Sequence, residues 1–187
     1  MQAAVGPSGA RLSVPCEAKR VLVIDDDEVM LLSCRRILEK VGYEVETFDN
    51  GAQAIERLRE APAPVLLVDL KMPQMDGRQV IEQVRAFDPE VIIVVITGYA
   101  TVPAAVDTMK AGAYDFLPKP FTPEELRLTV DRCYERWRLA AESEKLRRQK
   151  EELQRKFVTF VSHQLKAPLG AVKQYLDVLL HTSRPSL

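Results

Sequence analysis

Cysteine is scarce and scattered: Cys16, Cys34 and Cys133 are the three in 187 residues, and none belongs to a CxxC pair. That spacing leaves reduced thiols in a cytosolic protein as the expectation. Long apolar runs are also missing. No stretch approaches the ~18 residues that read as a bilayer span. The first 18 residues have no charged start followed by an apolar core, so no secretory signal is read there. Excess charge of one sign is lacking overall, with a net of −1, yet the halves differ. Residues 1–123 hold 13 Lys and Arg against 18 Asp and Glu, a net of −5; residues 124–187 hold 13 against 9, a net of +4. An acidic globule followed by a mildly basic segment does not resemble a nucleic-acid binder with one basic face. Glycine and proline are absent from Glu124 to Ala167, which predicts a long helix.

What is present is an alternation. Residues 1–18 mix Gly, Pro, Ser and Ala without period and read as a disordered lead-in. Then come apolar runs of strand length: Val21 to Ile24, Val45 to Phe48, Val65 to Val68, Val91 to Ile96 and Tyr114 to Leu117. Three of them are continuous and rich in β-branched residues, as parallel strands covered on both faces are. Amphipathic segments lie between, the first carried by Val29, Leu32, Ile37, Leu38 and Val41 and closed by Gly42 as a C-cap. Asn50-Gly51 reads as a turn before a helix over residues 52–59. Five βα units predict an α/β fold with a five-stranded, doubly wound parallel sheet, followed by the long α-helix. Such sheets bind ligands at the carboxyl ends of their strands.

Acidic residues gather at those ends. Asp25, Asp26 and Asp27 follow the first run and Asp69 ends the third. Carboxylates converging at one edge repel unless a hard cation lies among them, and Mg²⁺ prefers such oxygen ligands. Thr97 ends the fourth run with a hydroxyl, and Lys119 follows the fifth with an ammonium. A divalent cation, an ammonium and a hydroxyl are what a phosphoryl group in transfer requires, because its chemistry is mostly charge stabilisation and positioning. Asp69 is the candidate nucleophile, forming an aspartyl-phosphate.

The segments VLVIDDDE, VLLVDLKMPQMDG, VIIVVITGYA and AYDFLPKPF, in this order over residues 19–123, resemble the receiver domain of bacterial response regulators. The resemblance implies a flavodoxin-like receiver. Asp25 and Asp26 would be its acidic pair for Mg²⁺, Asp69 the phosphorylated residue, and the Lys71 carbonyl a further metal ligand. Thr97 would be the switch hydroxyl and Phe116 the aromatic switch; Lys119 would contact a phosphate oxygen, with the Lys119–Pro120 peptide cis. Asp27 is expected to be solvated rather than a ligand. Met72-Pro73 and Asp76-Gly77 are read as turn residues. Lys71 and Tyr99 would flank the phosphoryl group and shape water access.

A second string lies in the long helix. Phe160 to Leu169 contains S-H-x-L-x-x-P-L and resembles the phosphoacceptor box of dimeric sensor histidine kinases, with His163 as the nucleophile. Gln164 stands where that family commonly has an acid, and Ala167 where it often has Thr or Asn. Leu139, Leu146, Leu153, Phe160 and Ala167 recur every seven residues, and Ser143, Lys150, Phe157 and Gln164 supply the other seam position. The expected organisation is a lead-in (1–18), a receiver (19–123), a helix continuing as a coiled-coil linker (124–158), and the first helix of a truncated histidine-kinase phosphoacceptor domain (159–187). Such a chain would self-catalyse phosphotransfer to Asp69 but make no phospho-His163 from ATP by itself. Its expected partners are a cognate histidine kinase or phosphotransfer protein and a second copy through the helix. No nucleic acid and no membrane segment are expected, and the location is expected to be cytoplasmic. The alternative is a stand-alone response regulator whose helical tail dimerises or docks a partner.

Overall fold

The computed structural model describes residues 19–98 and 101–182; side chains are described as far as residue 161, that of Val102 excepted, and beyond it at residues 164 and 170. The chain divides into two compact units, Met1–Ala141 and Glu142–Leu187. In the first, strands β1 (Arg20–Ile24), β2 (Glu44–Phe48), β3 (Val65–Asp69), β4 (Ile92–Thr97) and β5 (Asp115–Pro118) alternate with helices α1 (Glu28–Glu39), α2 (Gly51–Glu60), α3 (Gly77–Phe87) and α4 (Val102–Ala111). Helix α5 runs Pro123–Thr182, across both units. The five strands form one parallel sheet in the order β2-β1-β3-β4-β5. The doubly wound sheet with a long helix after it is therefore the fold.

Continuous apolar strands arise because both faces are buried. Val21, Val23, Val65, Leu67, Val94 and Ile96 pack with Leu31, Cys34 and Leu38 of α1 and with Leu126, Val130, Cys133 and Trp137 of α5. Their neighbours Leu22, Ile24, Leu66, Val68, Ile93 and Val95 face Ala54, Ile55 and Leu58 of α2 and Val80, Ile81 and Val84 of α3. Alternation by two residues thus feeds two cores from one set of strands. Cys34 and Cys133 are free and buried, and burial pushes each thiol up to about 12.

Helix ends follow local chemistry, with two departures from expectation. Gly42 is not the cap of α1: the C-cap is Lys40, and Gly42 supplies the left-handed backbone (φ 88°) of the turn into β2. Asn50 is the N-cap of α2 rather than part of a free turn, its side chain accepting from the Ala52 N–H. At the start of α5 the Thr122 hydroxyl accepts from the Glu125 N–H at 3.2 Å, and Glu125 accepts in return from the Thr122 N–H at 2.7 Å, with Pro123 in the first turn. Further along, the Tyr43 hydroxyl donates to Asp131 at 2.7 Å, Tyr134 stands edge-on to Tyr43 at 6.0 Å, and Trp137 lies 6.0 Å beyond. Helix α5 is anchored beside the residue that precedes β2.

Glu46 of β2 carries a testable pH effect. It joins Arg20 of β1, and accepts from Arg57 of α2 at 2.6 and 3.1 Å. Burial pushes its carboxyl upward, but the two guanidinium partners outweigh burial and hold it below the ordinary value. A depressed carboxyl contributes stability above its unfolded value and loses it as pH falls through the folded value. Glu46→Gln is therefore expected to flatten the acid side of the pH–stability curve, below about pH 4.5, as urea midpoints at stepped pH would register. Parallel curves for variant and parent would show the bridge to be silent.

Candidate phosphoacceptor site

The site grows from three strand ends. Continuing the alternation, Asp25, Asp69 and Lys119 each fall two residues beyond Val23, Leu67 and Leu117, and so share one face of the sheet. Asp25 and Asp69 are 2% and 6% exposed, Asp26 is exposed, and the three offer carboxylate oxygens within 4.8 Å of one another. Lys119 bridges the two buried acids: its Nζ is 2.6 Å from Asp25 Oδ2 and 3.5 Å from Asp69 Oδ2. The shorter contact is a charge-assisted hydrogen bond and the longer an ion contact only.

Electrostatics follow from depth. Burial raises the Asp25 carboxyl above its ordinary value, more than the Lys119 hydrogen bond lowers it. For Lys119, burial works against the ammonium, but the carboxylates of Asp25 and then Asp69 more than compensate, and its affinity for the proton rises. The ammonium is thus fixed in its charged form between two acids. A hard-oxygen trio with a clustered negative charge fits Mg²⁺ by its donor chemistry.

The surrounding loops set the positions. The Asp25 carboxylate accepts from the Asp27 N–H at 3.0 Å, and Asp69 from the Leu70 N–H at 2.8 Å. Asp27 is the exposed N-cap of α1, accepting from the Val29 N–H at 2.9 Å, so the third acid has a structural duty. Thr97 is fully buried at the end of β4, and its carbonyl accepts from the Lys119 N–H at 2.9 Å. Phe116 pairs with Val95 in the sheet and is half-buried on the α2–α3 side. Thr97, two residues after Val95, extends that same face. The Lys119–Pro120 peptide is cis. Lys71 is exposed two residues past Asp69. Tyr99 lies outside the described residues; His163 falls within α5, and its side chain lies outside them.

Gly77 was legible only as a turn residue, and its duty is different. A Cβ there would lie 2.1 Å from the Asp69 carbonyl oxygen and 2.9 Å from Leu70 Cα. Its N–H donates to the Leu70 carbonyl at 3.0 Å, and Asp76 before it caps α3 in a capping box with Gln79. The start of α3 thus lies directly against the backbone of Asp69. Nothing local signals this, because the neighbour is eight residues away and its proximity depends on the loop.

Residues 21–131 match the family described as the response regulator receiver domain. The chain belongs to that family. Among relatives of this receiver, the response regulator receiver protein CpdR of Brucella abortus is 42% identical over 108 residues, 58% of this chain and 90% of CpdR. The C4-dicarboxylate transport transcriptional regulatory protein DctD of Rhizobium meliloti is 34% identical over 131 residues, 70% of this chain and 28% of DctD. The chain thus spans little more than a quarter of that regulator's length. The receiver also resembles the beryllofluoride-activated NtrC4 receiver domain dimer in solution, with a TM-score of 0.62 and 39% identity over 64% of this chain and 98% of that one. Among the described residues no helix is long and apolar enough to cross a membrane.

Proposed function

We propose that this receiver takes a phosphoryl group on Asp69 from the phospho-histidine of a cognate kinase or phosphotransfer protein, and acts as a signalling regulator whose helical tail dimerises or docks a partner. One observation carries the reading: acids from two strand ends meet within 4.8 Å, with the Lys119 ammonium between the two buried ones. The match to response regulators over residues 21–131 supports it.

In the proposed step an Asp69 Oδ attacks phosphorus, the P–N bond to the donor imidazole breaks, and its electron pair returns to the ring nitrogen. Asp69 becomes an acyl phosphate. Asp25, Asp26, Asp69 and the Lys71 carbonyl would hold Mg²⁺, which when bound supplies positive charge against the phosphoryl oxygens. Lys119 turns from Asp25 to a phosphoryl oxygen, and the Thr97 hydroxyl donates to another. Phe116 has no hydroxyl, so an inward swing following Thr97 is stabilised by burial alone.

The test is incubation with acetyl phosphate and Mg²⁺ followed by intact-mass analysis. The parent is expected to gain the mass of one phosphoryl group and Asp69→Asn none. Uptake by Asp69→Asn, or none by the parent, would sink the assignment. MgCl₂ alone is expected to raise the unfolding temperature of the parent, since the ion would bind only the folded cluster. Asp26→Asn should remove most of that rise; an equal rise in both would place the ion elsewhere.

The Ser162–Leu169 string favours a second reading, in which the tail is a histidine-kinase phosphoacceptor helix with His163 as its nucleophile. Label that is lost in acid, survives alkali and disappears in His163→Ala would support it, because alkali hydrolyses acyl phosphates and spares phospho-histidine.

A further inference from the structure

We propose that residues 142–161 pair with the same segment of a second copy as a parallel, in-register two-stranded coil in which Lys150 faces Lys150, holding the dimer weak. This makes specific the dimerising tail of the reading above and rests on that part of it, not on phosphorylation of Asp69.

The second compact unit presents a bare apolar stripe. Leu146, Leu153, Phe157 and Phe160 are 60%, 67%, 67% and 62% exposed. With Leu146, Leu153 and Phe160 at one seam position of a seven-residue repeat, Ser143, Lys150 and Phe157 occupy the other, and all six fall on one side of the helix. The ion pairs of this segment avoid that side. Glu144 binds Arg147 at 2.8 Å and Arg148 at 2.9 Å, Arg147 reaches Glu151 at 2.7 Å, and Lys156 reaches Glu152 at 2.7 Å. None of the six seam residues enters an ion pair among the described residues. The charged groups therefore brace the helix from its flanks and leave the seam for another surface.

Layer matching selects the occupant. In a parallel, in-register pair, Leu146, Leu153, Phe157 and Phe160 each meet their own kind, and leucine at this seam position is what two-stranded parallel coils favour. Reversing one helix puts Leu153 against Lys150 and Phe160 against Ser143, which spoils two layers that were wholly apolar. The flanks agree with the parallel choice. Glu142 borders the seam and has no ion pair among the described residues, and five residues on stands Arg147, the position that faces it across a parallel pair. Opposite charges at those positions set orientation and partner. The cost falls on Lys150. Two ammonium groups brought together in an apolar seam repel, although their long stems let the charges reach water at the edge. A single such layer fixes register while weakening the dimer.

The experiment uses the full chain. Parent protein and Lys150→Glu are each measured by sedimentation equilibrium and then mixed, one of them carrying a mass tag read by native mass spectrometry. Lys150 facing Lys150 predicts that the ratio of mixed to like dimers exceeds its random-mixing value by about tenfold or more, since each homodimer repels itself. Lys150→Leu should dimerise at least about tenfold more tightly than the parent. Ser143→Cys should form a disulfide-linked dimer on mild oxidation that the parent, with its native cysteines, does not. Statistical mixing, an unlinked Ser143→Cys dimer, or a Lys150→Leu protein that stays monomeric would each overturn the proposal. Phosphoryl uptake by the same variants, read by intact mass, separates failure of the coil from failure of the Asp69 assignment.

Discussion

Lys119→Met is expected to slow acquisition of the phosphoryl group by about 100–1,000-fold with acetyl phosphate, the loss typical when one preorganised donor is removed from a developing oxyanion. Methionine retains much of the length and apolar stem of lysine, so the deletion is one of charge. The Lys119 Nζ sits 2.6 Å from Asp25 and 3.5 Å from Asp69, close enough to meet a group added to Asp69 with a small side-chain rotation. The same change has a structural cost. Asp25 is 2% exposed and would lose its cation, and stranding one member of a buried pair costs about 3–5 kcal/mol. The two effects separate experimentally: initial rates by intact mass report the first, and urea unfolding without donor the second. A variant that folds yet is phosphorylated at the parent's rate would remove Lys119 from the chemistry.

Gly77→Ala should be as damaging by a different route. The added methyl carbon would need to occupy space 2.1 Å from the Asp69 carbonyl oxygen, and backbone on both sides leaves no flexible side chain to yield. Either the first turn of α3 moves or the end of β3 does. A destabilisation of about 3 kcal/mol is expected, the upper end of what overpacking typically costs, with Asp69 displaced in whatever folded fraction remains. Gly98 is the control. A Cβ there meets nothing within 4 Å, so Gly98→Ala should leave unfolding midpoints near the parent's. Equal midpoints for Gly77→Ala and the parent would refute the close approach.

The strands were readable because burial on both faces writes them as uninterrupted Val, Ile and Leu, so VLVI, VLLVD and IIVVIT declare themselves without context. Convergence of Asp25, Asp69 and Lys119 followed from the rule that parallel sheets gather their loops at one edge. Where the reading went astray, the reasons are local or spatial. Asp27 is exposed, in keeping with its expected solvation, and only its capping duty went unread, although an Asp directly before Glu28-Val29 is an ordinary N-cap signal. Asn50 was the same signal taken for a turn. Gly42 was placed one step early because left-handed glycine serves a helix cap and a following turn alike. Gly77 was readable as a turn residue but not for its close approach, since that requirement is set by a backbone carbonyl from another element.

The aromatic group at Tyr43 has a mechanical consequence. Helix α5 begins just past Lys119–Pro120, at the rim where β5 ends, and Tyr134 and Trp137 are pinned beside Tyr43 at the rim where β2 begins. The helix is thus a strut fastened at both rims of the sheet. Only residues 120–122 separate Lys119 from that strut, and the Tyr43–Asp131 bond holds its far end.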